Sequence, residues 1–373
     1  MAAAITVAFG LLFQHVHAAA VPRSINQRPC INLTLPVSVT AQNAVYDVVH
    51  VDNNIDAAAF AVDSDTYSSP NSTERIIKAV PIKDTFNISA QLCVPSHGLK
   101  KESLQIATHG GGFDKRYWNV EIKPSEYSYV DACLDAGYSI LTYDRLGCGN
   151  SDKPDAYTVG QLPLDLEILH GITKMARNGQ LLQSATGSRS KLSTQRRHST
   201  RLYMSATALA AFSPSASSPT TEYAPQNDPE LFGDFTSGYV VPGTKSAVQT
   251  GFFSTRRNEA AGVGGFEPEL LEYGFAVRQP IAVTQLLSSS QLNLGVADQF
   301  MGPVQFMLAE FDFLSCDGDC KGAADPDVLQ ALYPNAKDID VYIQKGTGHG
   351  LTIHRGADVG YKASLDFLVK NGL

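Results

Sequence analysis

Three short stretches hold the residue types needed to move an acyl group. His109-Gly110-Gly111-Gly112-Phe113 follows the apolar run from Ser103 to Thr108. Glycines directly after a buried strand leave backbone N–H groups uncovered, and such groups can hold a developing negative charge. Ala309-Glu310-Phe311-Asp312-Phe313 ends a second apolar run and sets an acid at a strand's carboxyl tip. In open α/β sheets, ligands bind at that rim. Gly346-Thr347-Gly348-His349-Gly350 follows a third run, and a histidine between glycines can rotate and reach. Acid then histidine, on successive strand ends, is the order of the last two members of a Ser, acid, His set. Taken singly, the acid also reads as a turn cap and the histidine as a loop residue.

These stretches need strands to position them. Ile31 to Val48 alternates and is rich in β-branched residues, which predicts one or two antiparallel strands. Asp52 to Thr73 is polar and reads as loop, and Thr85 to Val94 as a strand. From there the pattern becomes strand, helix, strand, helix. Leu104–Thr108 and Tyr138–Tyr143 are predicted buried strands, Tyr127–Ala136 a helix, and Pro163–Ala176 an amphipathic helix. Its apolar side is read as Leu164, Leu166, Ile168, Leu169, Ile172 and Met175. The rhythm resumes with strand Val304–Ala309, helix Asp327–Leu332, strand Asp340–Ile343 and helix Ala357–Val369. Such alternation predicts an α/β fold, a mostly parallel sheet with helices on both faces. The segment from about Tyr223 to Phe300, with helical pieces and Gly/Pro turns, reads as a cap over one end of the sheet.

The 373 residues, 43% of them hydrophobic, suffice for one large core, so residues 21–373 are read as a single domain. A net charge of −8 and a pI near 5.6 argue against a nucleic-acid partner. No cofactor is implied. Cysteine and histidine are not spaced as metal ligands, and Asp144-Arg-Leu-Gly-Cys-Gly-Asn-Ser151 has Asp152 where a dinucleotide fingerprint needs its third glycine.

Residues 1–20 read as a signal peptide. Ala2–Phe13 is apolar, and Ala18-Ala19-Ala20 is a small-residue cleavage site. The run is shorter than the roughly 20 residues that span a bilayer, so no stable membrane insertion is expected. Sequons at Asn32, Asn71 and Asn87 agree with a secreted, extracellular glycoprotein. Cys30 and Cys93 each adjoin a strand-like run and are disulfide candidates, as are Cys316 and Cys320 in one loop. Cys133 and Cys148 read as buried thiols. Connectivity is not readable from spacing.

From about Leu104 to Asn178, and again from Tyr223 onward, the chain resembles the α/β-hydrolase superfamily, closely its secreted fungal AB hydrolase members. The motifs His109–Trp118, Tyr143–Tyr157, Glu310–Cys320 and Gly346–Gly350 carry that resemblance. It implies an oxyanion hole at Gly111 and Gly112, a triad acid at Asp312 and a triad base at His349. The implied reaction is hydrolysis of a carboxyl ester, lactone or amide of a small molecule through an acyl-enzyme.

One departure is severe. The family's nucleophile sits in Gly-x-Ser-x-Gly on a strand-to-helix turn, and the chain contains no such motif. It is due between Asn178 and Tyr223, where Leu181 to Thr221 has no acidic residue and no periodicity. A structureless stretch of that length inside a compact domain argues against something in the assignment. Codons built from the last base of one codon and the first two of the next resolve this. Met204, with Ser205 as TCN, gives Val, and the following junctions permit Gly-His-Ser-Ser-Gly, preceded by Pro-Phe-Asp-Lys-Val-Val-Tyr. The anomalous segment, residues 184–221, is therefore read as the product of a frameshift or mis-splice. The chain as written is expected to lack the central strand, the nucleophile and the following helix, and so to be inactive. A non-catalytic hydrolase-like protein binding a small apolar ligand is the alternative. An elbow Asp is not encodable at the shifted junction, whose codon ends in GC.

Overall fold

The computed structural model describes residues 30–66, 68–96, 103–182, 201–206, 221–253, 265–292 and 295–373, with backbone only for 201–206. The expected signal peptide and most of the anomalous segment lie outside the described residues.

Two long strands open the fold. β1 (Cys30–Tyr46) pairs antiparallel with β2 (Ile76–Cys93), in register from Cys30↔Cys93 to Tyr46↔Ile76 with a bulge at Val45/Tyr46. β1 is thus one continuous strand rather than two. Leu33, Leu35, Val37, Val39 and Ala41 point inward and are buried, while Asn32, Ser38 and Thr40 are exposed. β2 extends upstream of the expected Thr85 because its first residues lie largely in solvent and show no hydrophobic alternation. The connection between the strands corrects the loop expected over 52–73. Asn54–Asp65 is a helix whose N-cap, Asn53, accepts hydrogen bonds from the Ile55 and Asp56 N–H groups. Ala57, Phe60 and Ala61 bury one face, and the polar residues around them hid this short stripe.

β3 (Ser103–Thr108), β4 (Ser139–Tyr143) and β5 (Arg201–Ala206) complete a five-stranded sheet in the order β1-β2-β4-β3-β5. β2 is antiparallel to β4, and β3 is parallel to both β4 and β5. Every side chain of β4 is buried, as a parallel strand covered on both faces requires. β5 corrects the expectation that the written chain lacks a strand here. Arg201-Leu-Tyr-Met-Ser-Ala206 holds Leu, Tyr and Met, residue types compatible with a strand, and its backbone pairs with β3.

Helices cover both faces. Leu162–Arg177 lays Leu164, Ile168, Leu169 and Ile172 on Leu33, Leu35, Val37, Ile106 and Leu141. Leu166, assigned to this apolar side from sequence, is instead 37% exposed, because it lies off the stripe marked by the i, i+4, i+8 spacing of Leu164, Ile168 and Ile172. On the opposite face, Val130 and Cys133 of helix Tyr129–Asp135 and Tyr361 and Leu368 of helix Ala357–Lys370 pack with Ala107 and Ile140. The helix expected over 127–136 is broken at Ser128, whose side chain caps the second piece through the Asp131 N–H. The architecture is α/β, as expected from sequence, with antiparallel N-terminal strands, a parallel centre and helices on both faces.

Helix Leu162–Arg177 approaches β1 closely at Gly171, where an added methyl would lie 2.5 Å from Val37 Cγ1. Gly171→Ala is therefore expected to destabilise by about 1–2 kcal/mol, overpacking outweighing the helix propensity gained. Thermal unfolding would show it as a Tm lowered by about 2–5 °C, and a raised Tm would mean the interface is looser than described.

Residues 221–253 and 265–292 form short helices around a small antiparallel sheet of β6 (Thr221–Tyr223), β7 (Tyr239–Pro242) and β8 (Ile281–Ala282). β9 (Val304–Ala309) and β10 (Ile339–Gln344) then pair in parallel. No helix among the described residues is long and apolar enough to cross a membrane.

Candidate active site

β3, β4 and β5 end level, with Thr108 opposite both Tyr143 and Ala206. The His109 turn leaves β3 at this rim and the Asp144 turn leaves β4. Residues 207–220, which follow β5 in the chain, lie outside the described residues.

His109 is buried and joins the two turns. Its Nε2 accepts from the Arg145 N–H at 2.9 Å, and its Nδ1 lies 2.8 Å from the Gly110 carbonyl. These partners assign the proton to Nδ1. Burial, helped by the Arg145 charge, pushes its pKa down to about 4. Gly112 has φ +81°, a conformation that favours glycine. No hydrogen bond among the described residues uses the N–H of Gly111 or Gly112.

The Asp144 carboxylate is fully buried and organises its own turn. It accepts from the Lys115 N–H at 2.9 Å and the Asn150 N–H at 3.0 Å, and it pairs with the Lys115 ammonium. Gly149, at φ +50°, is required because a Cβ there would collide with this carboxylate. Asp144→Ala would strand a largely buried cation and two N–H groups. A loss of about 3–5 kcal/mol is expected, readable as a lower urea midpoint, and a change under 1 kcal/mol would contradict it.

At the other end of the site, the loops after β9 and β10 are joined by the Phe311 N–H bond to the Thr347 carbonyl at 2.9 Å. Asp312 Oδ1 accepts from the Ser315 N–H at 2.9 Å, and Oδ2 lies 2.8 Å from His349 Nδ1. Burial pushes the Asp312 carboxyl up, but the bonds from His349 and Ser315 outweigh it and hold it below its ordinary value. A disulfide joins Cys316 to Cys320 directly after Asp312. His354, which sequence reasoning missed, brackets the His349 loop. Its Nε2 accepts from the Gly348 N–H at 3.0 Å, its Nδ1 lies 2.8 Å from the Gly350 carbonyl, and burial lowers its pKa to about 4.

Phe252 connects the two ends. Its Cζ lies 2.9 Å from where a Cβ on Gly112 would stand, and its ring centroid is 5.8 Å from that of His349. The Phe252 carbonyl also accepts from the Gly350 N–H at 2.8 Å. The structure thus brings Gly112 and His349, with Asp312 behind it, to one aromatic ring that nothing in the sequence singles out. Among the described residues no group of three or more His, Cys, Asp or Glu could hold a metal ion.

Cys30 and Cys93 form a disulfide closing the end of the β1–β2 pair. Asn32, Asn71 and Asn87 are exposed. Cys133 and Cys148 are buried, and burial raises both thiols well above their ordinary pKa, which makes them inert.

No protein-family model matches the chain, and no curated protein does. Among solved structures it is similar to a thermophilic esterase from Thermogutta terrifontis (13% identity, 78% of this chain and 96% of that one, TM-score 0.46). It is also similar to a bromoperoxidase from Bacillus anthracis (15%, 76% and 96%, TM-score 0.44) and to epoxide hydrolase A from Mycobacterium thermoresistibile (15%, 76% and 95%, TM-score 0.41). Similarity at this level carries no argument about the chemistry of this chain.

Proposed function

We propose that this chain is the framework of a secreted serine hydrolase acting on carboxyl esters, lactones or amides of small molecules through an acyl-enzyme. His349 is the general base and Asp312 fixes its tautomer. The N–H groups of Gly111 and Gly112 receive the oxyanion. The nucleophile belongs on a turn after β5, in a segment displaced from its reading frame over 184–221, so the chain as written is inactive. The residues from Tyr223 to Phe300 cap the site, and signal peptide cleavage and glycosylation at Asn32, Asn71 and Asn87 accompany export.

The observation that carries this is the 2.8 Å contact between Asp312 Oδ2 and His349 Nδ1, with Phe252 touching both His349 and the glycine turn. An Asp on Nδ1 leaves Nε2 to take the nucleophile's proton. Two disulfides support an oxidising compartment.

The test is to sequence the transcript across the codons for Ala176 to Tyr223 and to treat the natural secreted protein with a fluorophosphonate. A Gly-x-Ser-x-Gly reading in frame with both flanks, and a labelled serine within it, is the expected result. A transcript encoding the written segment, with no labelled serine, would overturn the hydrolase assignment and leave a non-catalytic binder of a small apolar ligand.

A further inference from the structure

The glycine turn is held from outside its own stretch of chain. Gln279 is 7% exposed and lies two residues before β8, in the segment assigned to the cap. Its backbone N–H donates to the Gly112 carbonyl at 2.8 Å. Its side-chain Nε2 donates to Asp114 Oδ2 at 3.1 Å, and its Oε1 accepts from the Gly149 N–H at 2.8 Å. The amide's orientation is fixed by its partners, since a carboxylate only accepts and a backbone N–H only donates. One residue therefore ties together the peptide after Gly112, the aspartate that caps the next turn, and the glycine turn after β4.

We propose that Gln279 is a positioning residue for the oxyanion donors, setting the aim of the Gly111 and Gly112 N–H groups without touching the reacting atoms. This rests on the hydrolase assignment, because only that gives the two N–H groups an anion to hold. Oxyanion donors are effective only when preorganised at hydrogen-bond distance from the anion. Gly112 has no side chain to resist rotation, and its carbonyl bond to Gln279 together with the Asp114 contact supplies that resistance. The same arrangement makes the cap part of the oxyanion scaffold, so motion of the segment around Gln279 would re-aim the donors.

The full chain as written can test this, because a product carboxylate occupies oxyanion donors without needing the nucleophile. The probe is sodium butyrate, read on the amide signals of protein labelled with 15N-glycine. Butyrate is expected to shift Gly111 and Gly112. The near-isosteric Gln279→Met should weaken that binding at least tenfold while leaving the Gly171 signal unchanged, with the Tm lowered only by the several degrees that two lost buried hydrogen bonds cost. Gln279→Glu, which keeps an acceptor for Gly149 but sets a second carboxylate beside Asp114, should show the same loss at pH 8. Butyrate affinity within twofold of the wild type in both variants would overturn the proposal. If butyrate shifts neither glycine in the wild type, the hydrolase assignment fails, and positioning is then judged directly. Gly149 amide exchange at least tenfold faster in Gln279→Met, with a displaced Gly112 signal, would still support it, and unchanged exchange and position would overturn it.

Discussion

A chain whose 184–221 segment is read in the frame giving Gly-His-Ser-Ser-Gly is expected to hydrolyse p-nitrophenyl butyrate, and His349→Ala in that chain to lower kcat by about 10⁴- to 10⁶-fold. The magnitude follows from the roles involved. Without the imidazole no group takes the serine proton, and only binding and the oxyanion donors are left. Asp312→Asn is expected to lose about 10⁴-fold, because an amide no longer holds the Nδ1 proton in place. The β5 register makes the outcome a fair test. Thr108 lies opposite Ala206, so a turn directly after β5 emerges beside the His109 turn. His349→Ala activity within tenfold of its parent would mean that the Asp312–His349 pair is structural.

Acidification from pH 7 to pH 4 is expected to destabilise the fold by on the order of 3 kcal/mol for each of His109 and His354. Both have a folded pKa of about 4, against an ordinary value of 6.5. The folded state therefore binds fewer protons than the unfolded state throughout that interval. Their contribution is complete above pH 6.5 and is lost as pH falls toward 4. The main cause is burial, which penalises the charged ring; each Nε2 also accepts a backbone N–H, so protonation would set two hydrogens against each other. Urea unfolding measured from pH 7 to pH 4.5 should show a slope approaching two protons. His354→Gln should reduce it by about one. A flat profile would mean that water reaches these rings.

The sequence made the strand ends legible because their signals are local. Buried β3 and β4 read as short, largely apolar runs, and Asp312 and His349 stand three and five residues after their strands. What it hid depends on contacts distant in the chain. Gln279 is 165 residues from Asp114, and nothing around it in the sequence distinguishes it from a surface glutamine. Phe252 and His354 are equally ordinary until folding sets them beside His349. Helix Asn54–Asp65 was missed because its buried face is only Ala57, Phe60 and Ala61. One usable signal went unread. Pro36 sits mid-strand in β1, and a proline is tolerated there because β1 ends the strand order.

The Cys30–Cys93 bridge joins residues 63 apart in the chain, and all three sequons fall between them. Closing a loop of that length removes about 4 kcal/mol of denatured-chain entropy in the chain-entropy account. It also sets a race. Asn32 and Asn87 lie within β1 and β2, so strand pairing and bridge formation withdraw them from any transferase that needs an extended acceptor. In an exported chain, glycan occupancy at these two positions would then record how slowly the N-terminal hairpin closes, whereas Asn71, on the connection, would be modified at any time.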